Sequence, residues 1–284
     1  MTDPLRVGGV PEHFNLPWHL GLADNRFAEP GMTWTDMPGG TGQMMQALHD
    51  GELDLAIVLT EGAIASVAQG TPARLVRWYT TSPLQWGVHV RGGRDLSEAA
   101  LGPEHRVAVS RRGSGSHLMA HVLADRLGYD IADDRFVVVG DLDGARRALA
   151  DGDADLFLWD RFMTSPLVAS GEFARVGVQP TPWPAFVTAA HTDVLDAGRS
   201  VEIANLLDAV ASVADELTSD DDAASLIAER YSLAFDEAAA WLSVTTFDEG
   251  EPADEDDVVE IAEQLVELDL IEAVPEAKAL VVPL

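Results

Sequence analysis

The sequence predicts an α/β protein built from two similar lobes, and three observations carry that reading. Short apolar runs that read as buried strands alternate with stretches whose apolar residues recur at helical spacing, the pattern of a parallel or mixed sheet covered by helices. Glycine-rich turns join several of these strands to the helices that follow. One segment also occurs twice: Ala47-Leu48-His49-Asp50-Gly51-Glu52-Leu53-Asp54-Leu55 matches Ala148-Leu149-Ala150-Asp151-Gly152-Asp153-Ala154-Asp155-Leu156. Each copy is a helix end, an Asp-Gly turn and a buried strand, and the two stand about one domain length apart. At 284 residues the chain can bury one large core or two domain-sized ones.

In chain order, Leu5–Val10 is a first strand, ended by Pro11-Glu12-His13-Phe14. Asn15 or Pro17 opens a helix through Trp18, Leu20 and Leu22 that stops near Pro30-Gly31. Thr33–Thr35 is a second strand. Pro38–Gly42 is a glycine-rich turn leading into a helix that carries Met44, Met45, Ala47 and Leu48, which read as packing residues. Leu53–Leu59 is a strand ending at a turn, Thr60-Glu61-Gly62. Leu75–Tyr79 is another, and the polar turn Arg91–Arg94 after Val88-His89-Val90 is the first expected crossover between lobes. Arg106–Val109 is a short strand running into Arg111-Arg112-Gly113-Ser114-Gly115-Ser116-His117 and then a helix. Strands at 136–139 and from Leu156, and the rigid aromatic return crossover Thr181–Phe186, complete the second lobe. Helices follow at about 200–217, 222–230 and 235–242. The segment 248–272 holds many carboxylates and no basic residue, but Val258, Ile261, Leu265, Leu268 and Ile271 recur at helical spacing, so it reads as an acidic amphipathic helix on the body. The expected division is 1–92 plus 185–245 for lobe 1, 93–184 for lobe 2 and 246–284 for a C-terminal helical extension.

Forty-eight acidic residues against 18 basic give a formal net charge of −30, and Lys278 is the only lysine. Such a surface repels nucleic acid and anionic membrane. An apolar content of 47% nonetheless suits a folded chain rather than a disordered acidic one. The composition fits a protein kept soluble in concentrated salt, a halophilic setting where self-repulsion is screened. No apolar run is long enough to cross a bilayer. The opening Met1–Arg6 enters a strand directly, so a cytoplasmic location without signal peptide is expected. With no cysteine in the chain, disulfides, thiolate catalysis and cysteine metal sites are excluded.

The turn at 113–117 brings free backbone N–H groups, two hydroxyls and the positive end of a helix to one point, which suits an anionic or strongly polar group. Ligands in open α/β sheets bind beyond the carboxyl ends of the strands, which directs Gly40, Thr41, Thr60, Glu61, Ser114 and Ser116 toward a common cleft. Trp159, beside Asp160 and Arg161 at a strand end, is a candidate aromatic wall for a planar ligand. His13 and His117 lack ligand-like spacing, so a structural or ligand hydrogen-bonding role is expected for them and no metal or cofactor. Neither a dinucleotide fingerprint nor a P-loop is present, and Gly113–His117 is not a hydrolase elbow.

Several stretches taken in order resemble the type 2 periplasmic-binding-protein family, in its branch similar to sulfonate- and thiamine-precursor-binding proteins. They are Pro11-Glu12-His13-Phe14, Gly39–Gly42, Thr60-Glu61-Gly62, Ser82-Pro83-Leu84, Gly113–His117, Trp159–Phe162 and Trp183-Pro184. The order also resembles a subgroup, shared by microbes and fungi, that lacks export signals. The resemblance spans about 5 to 190 and implies two lobes joined by two crossovers, with a small polar or anionic organic ligand gripped between them. It adds Glu12, His13, Phe14, Pro83 and His117 to the candidate ligand contacts, and leaves a transporter partner open. The competing reading is an enzyme on the same scaffold, since thiamine-precursor and menaquinone-pathway enzymes share it.

Overall fold

The computed structural model describes residues 3–28 and 31–284. The helix expected to stop near Pro30-Gly31 ends earlier, at Ala23, and a turn follows it. The chain opens with β1 (Leu5–Gly9), α1 (Leu16–Ala23), β2 (Met32–Asp36), α2 (Gly40–His49), β3 (Leu55–Leu59), α3 (Thr60–Ala68) and β4 (Ala73–Thr80). It continues with β5 (Gln85–Arg91), β6 (Val107–Val109), α4 (Gly115–Leu127), β7 (Phe136–Val138), α5 (Leu142–Asp151), β8 (Leu156–Asp160), α6 (Ser165–Ala169) and β9 (Phe173–Pro180). It returns through β10 (Phe186–His191), α7 (Thr192–Asp196), α8 (Ser200–Thr218), α9 (Ala223–Tyr231) and α10 (Phe235–Val244), and ends in α11 (Glu255–Glu267) and α12 (Ala277–Leu280).

Ten strands form two five-stranded sheets with orders β2-β1-β3-β10-β4 and β7-β6-β8-β5-β9. The two orders superpose place for place. β1 pairs in parallel with β2 and β3 as β6 does with β7 and β8. The fourth place in each is an antiparallel strand from the other side of a crossover, β10 in the first sheet and β5 in the second. This corrects the expected crossover at Arg91–Arg94 and the lobe boundary at 92/93. β5 follows β4 in sequence but pairs along its whole length with β8 and β9, so the chain changes lobes earlier, at 81–84. The polar turn at Arg91–Arg94 only marks the far end of β5. The return crossover is 181–185, and the two crossovers lie side by side. Thr181 N donates to Leu84 O (3.0 Å), Leu84 N to Thr181 Oγ1 (3.0 Å) and Ala185 N to Ser82 O (3.2 Å).

The sequence repeat is the same lock built twice. Asp54 Oδ2 accepts from the backbone N of Arg6 (2.8 Å), whose Nη1 donates to Gly51 O (2.6 Å). Asp155 Oδ2 accepts from Arg106 N (2.8 Å), whose guanidinium donates to Gly152 O. Gly51 and Gly152 both close their turns at positive φ (68° and 79°), where a side chain would be strained. The lock ties the first and third strands of each lobe at the end remote from the cleft.

Four helices were not expected from the sequence: α3 and the short α6, α7 and α12. α3 starts at Thr60 with no loop after β3, where a turn at Thr60–Gly62 was expected. The C-terminal segment covers what would be an open sheet edge. β4 bridges Phe247 from Thr80, Pro252 from Arg77 and Val281 from Leu75, so its free side is not available for pairing with another chain. α11 buries Val258, Ile261, Ala262 and Leu265 and packs on α3, with its carboxylates outward.

Candidate functional site

The carboxyl ends of β1, β3, β6 and β8 face one another across the gap between the lobes, and the turns after them line a cavity of about 540 Å³ including its mouth. Two helices, one from each lobe, start at its wall: α2 behind Gly39, Gly40 and Thr41, and α4 behind Ser114, Gly115 and Ser116. The first-turn amides of a helix have no intrahelical acceptor, so both helices aim unspent N–H donors and the positive ends of their dipoles at one space. A larger groove between α8 and residues 245–249 is lined by Asp208, Asp215, Asp248 and Glu249 together with the hydroxyls of Ser212, Thr218, Thr245 and Thr246, and no basic residue lines it.

Arg111 completes this positive end. It leaves lobe 2 just after β6 and crosses to lobe 1, where its Nη1 donates to Gly39 O (2.9 Å). Its guanidinium lies where a Cβ on Gly42 would be, so glycine there is required for the approach. Among the described residues it pairs with no carboxylate, whereas its neighbour Arg112 pairs with Asp133. Burial lowers its pKa from the ordinary arginine value. An arginine desolvated in a cleft without a counter-charge is short of one anion.

The turn that presents these donors is held by its own hydroxyls. Ser114 Oγ donates to Arg111 O (2.7 Å) and caps α4 by accepting from His117 N (3.4 Å). Ser116 Oγ accepts from Ser110 N (3.1 Å) and lies 3.0 Å from Ser114 Oγ. Thr41 Oγ1 accepts from Leu59 N (3.0 Å). All three residues line the cavity, but their hydroxyls shape the turns. Gly39 N is taken by Gln43 Oε1, Gly40 N by Met37 O and His117 N by Ser114 Oγ, so the donors left at the two helix starts are the amides of Thr41, Gly115 and Ser116. The side walls are apolar and aromatic: Leu59, Leu84, Trp86, Trp159 and Phe186. Trp159 is backed by Phe157 at 5.3 Å, nearly parallel, and the buried Trp86 Nε1 has no acceptor.

The remaining polar groups are acidic. Glu12, after β1, and Asp160, at the end of β8, line the cavity from opposite lobes. Asp160 is 5% exposed; its Oδ1 accepts from Phe162 N (2.9 Å) and Met163 N (2.8 Å), and its Oδ2 has no partner. Burial, together with the facing Asp160, pushes Glu12 up to about 8, and burial pushes Asp160 up to about 7. His13 Nε2 lies 3.8 Å from Asp160 Oδ1, but burial lowers His13 to about 3, so the imidazole is neutral and supplies no charge.

Of the residues named from the sequence, Glu12, Gly40, Thr41, Ser114, Ser116, Trp159 and Asp160 meet at this cavity. The others do not, each for a packing reason. His13 is fully buried behind the wall, stacked on Trp241 at 4.6 Å, and Phe14 packs against Phe186 and Trp241. Thr60 and Glu61 brace the return crossover: Thr60 Oγ1 donates to Pro184 O (2.7 Å), and Trp183 Nε1 donates to Glu61 Oε2 (2.8 Å). Burial pushes Glu61 up to about 7. Pro83 is exposed in the first crossover, with its neighbour Leu84 on the wall. His117 turns away, accepting from Gly113 N (3.1 Å) at Nδ1 and lying edge-on to Phe136. Arg111 and Trp86 were missed. The usable signal for Arg111 was an arginine in a glycine-serine turn with no acidic residue within four positions.

Two α/β lobes that exchange a strand around a cleft of strand ends define the type 2 periplasmic-binding-protein fold, and this chain has that fold. Within it, residues 86–178, from β5 into β9 and so nearly the whole second lobe, match the Ca3427-like PBP family model. The CA3427 gene product of Candida albicans, described as defining a new family with the generic periplasmic binding protein fold, is 28% identical over 97% of this chain and 93% of its own, with a TM-score of 0.89. The alkanesulfonate-binding protein SsuA of Xanthomonas axonopodis pv. citri, bound to MOPS, is 18% identical over the full length of both chains (TM-score 0.78). PhnD1 of Prochlorococcus marinus, in complex with methylphosphonate, is 12% identical over 94% of this chain and 98% of that one (TM-score 0.61). No curated protein matches the chain in sequence.

Proposed function

We propose that the protein binds a small organic anion between its lobes and closes over it. The observation that carries this reading is the meeting of Arg111, without a carboxylate partner, and the starts of α2 and α4 at one partly enclosed space. One guanidinium and two helix dipoles suit a singly charged oxyanion, with the aromatic walls holding an organic remainder. The sulfonate and phosphonate named for the relatives of this fold are of that chemical kind. The Arg111–Gly39 contact spans the lobes, so ligand bound at that point favours the closed arrangement.

Calorimetric titration with methane-, ethane- and propanesulfonate tests the reading, with methylphosphonate and acetate as alternative heads. At least one should bind, and Arg111→Met should weaken it about tenfold to a hundredfold, the effect of losing one charge-assisted hydrogen bond. Small-angle scattering should show contraction on binding. Affinity unchanged by Arg111→Met would move the anion site elsewhere. Recovery of a chemically altered probe after incubation would favour the enzyme reading.

A further inference from the structure

The anion site explains one part of the cavity and leaves the part around Glu12 and Asp160 unexplained. These carboxylates approach from different lobes, and among the described residues no cationic side chain pairs with either. His13, the nearest imidazole, is neutral. Arg161 is close enough for its charge to favour the ionised Asp160, but its guanidinium lies over the Phe162 ring, 4.4 Å from the centroid, and forms no ion pair with Asp160. Glu237, on α10, adds a further negative charge near Asp160. Asp160 Oδ2 is buried, unpartnered and at the cavity wall, while Oδ1 is already used by two backbone amides. A buried carboxylate oxygen with no donor is costly unless something enters to supply one.

We propose that the cleft takes a short zwitterion, with its oxyanion at Arg111 and the starts of α2 and α4 and its ammonium group between Glu12 and Asp160. The inference rests on the anion-site reading and adds the second charge of the ligand. An ammonium group supplies three donors, enough for Asp160 Oδ2 and for Glu12 together. It also relieves the repulsion between two carboxylates brought together when the lobes meet. The apolar walls of Leu59, Trp86 and Phe186 suit a short methylene spacer between the two charges.

The test compares matched pairs that differ only in the amine: ethanesulfonate with taurine, and propanesulfonate with homotaurine, titrated calorimetrically against the full chain. In at least one pair the amino member should bind about tenfold tighter or more. Asp160→Asn keeps an acceptor for the Phe162 and Met163 amides, and Glu12→Gln keeps the side chain's size. Each should reduce the advantage of the amine to about threefold or less, with the plain sulfonate bound as well as before or better. A plain sulfonate that binds as tightly as its amino partner overturns the zwitterion and leaves the anion site standing. An amine advantage that survives both substitutions also overturns it, because the ammonium then sits elsewhere. Failure of all four compounds to bind at millimolar concentration overturns the zwitterion; the anion site falls with it only if methanesulfonate, methylphosphonate and acetate fail as well.

Discussion

Glu61 offers a clean measurement of what a buried carboxyl costs in this fold. Its side chain is fully buried, one oxygen accepting from Trp183 Nε1 at 2.8 Å and the other unpartnered. Burial raises its pKa from 4.5 to about 7, only partly offset by its own backbone amide and the Trp183 indole. A rise of that size is equivalent to about 3 kcal/mol. Between those two values the folded state holds a proton that the unfolded chain has released. Stability from this group is therefore fully present below about pH 4.5 and declines through the window, leaving the protein about 3 kcal/mol worse off above pH 7. Glu61→Gln removes the titration and keeps an acceptor for the indole. It also places an amide where Oε1 stood, with a cost that does not depend on pH, so the diagnostic quantity is the slope. Urea unfolding at fixed salt from pH 4.5 to 8 should show the variant gaining on the native protein by about 3 kcal/mol up to pH 7 and then holding level. A difference that stays flat across that range would refute the argument from burial.

Further outcomes follow from other parts of the fold. Asp54→Asn and Asp155→Asn should each cost about 1–3 kcal/mol in urea unfolding, since each removes a charged acceptor for a backbone amide and a guanidinium, and the two losses should add because the sites lie in different lobes. Gly115→Ala would place a methyl against Leu59 Cδ1 and the Trp86 ring, 2.5 and 2.9 Å from the new carbon. It should lower stability by about 1–3 kcal/mol and reduce the contraction seen by scattering when an anion binds. The melting temperature should rise from low to molar potassium chloride, because a formal net charge of −30 is self-repulsive and salt screens it; a flat or falling series would remove the salt argument.

The local architecture was largely readable from the chain. Strand–turn–helix units declare themselves through short apolar runs, Asp-Gly stops and glycine-rich starts, and the repeat identified two equivalent lobes. What escaped is non-local or unpunctuated. β5 reads as part of the first lobe because the first strongly polar turn after β4 is at Arg91–Arg94, whereas its partners β8 and β9 lie far along the chain. α3 merges with β3 into one apolar stretch from Leu55 to Ala68, broken by little besides Thr60, Glu61 and Ser66, so no change of period separates strand from helix. For the site, the strand-end rule named Gly40, Thr41, Ser114 and Ser116, and all four lie on the cavity wall. Thr60 and Glu61, named by the same rule, lie off that wall, because the return crossover passes directly over the end of β3 and uses both residues. Arg111 was overlooked because an arginine's role depends on which carboxylates reach it, and that is a property of the folded chain.

The paired crossovers have a mechanical consequence. The lobes are joined by two strands of chain running side by side, hydrogen-bonded through Leu84, Thr181, Ser82 and Ala185 and clamped at one end by Thr60 and Glu61. A single-ply connection would let the halves swivel freely. A two-ply strap bends about one axis but resists twist and sliding, because either movement must break bonds between its plies. Lobes that part about such a strap would open like a book on its spine, and each closing would return Arg111 to Gly39 in the same register.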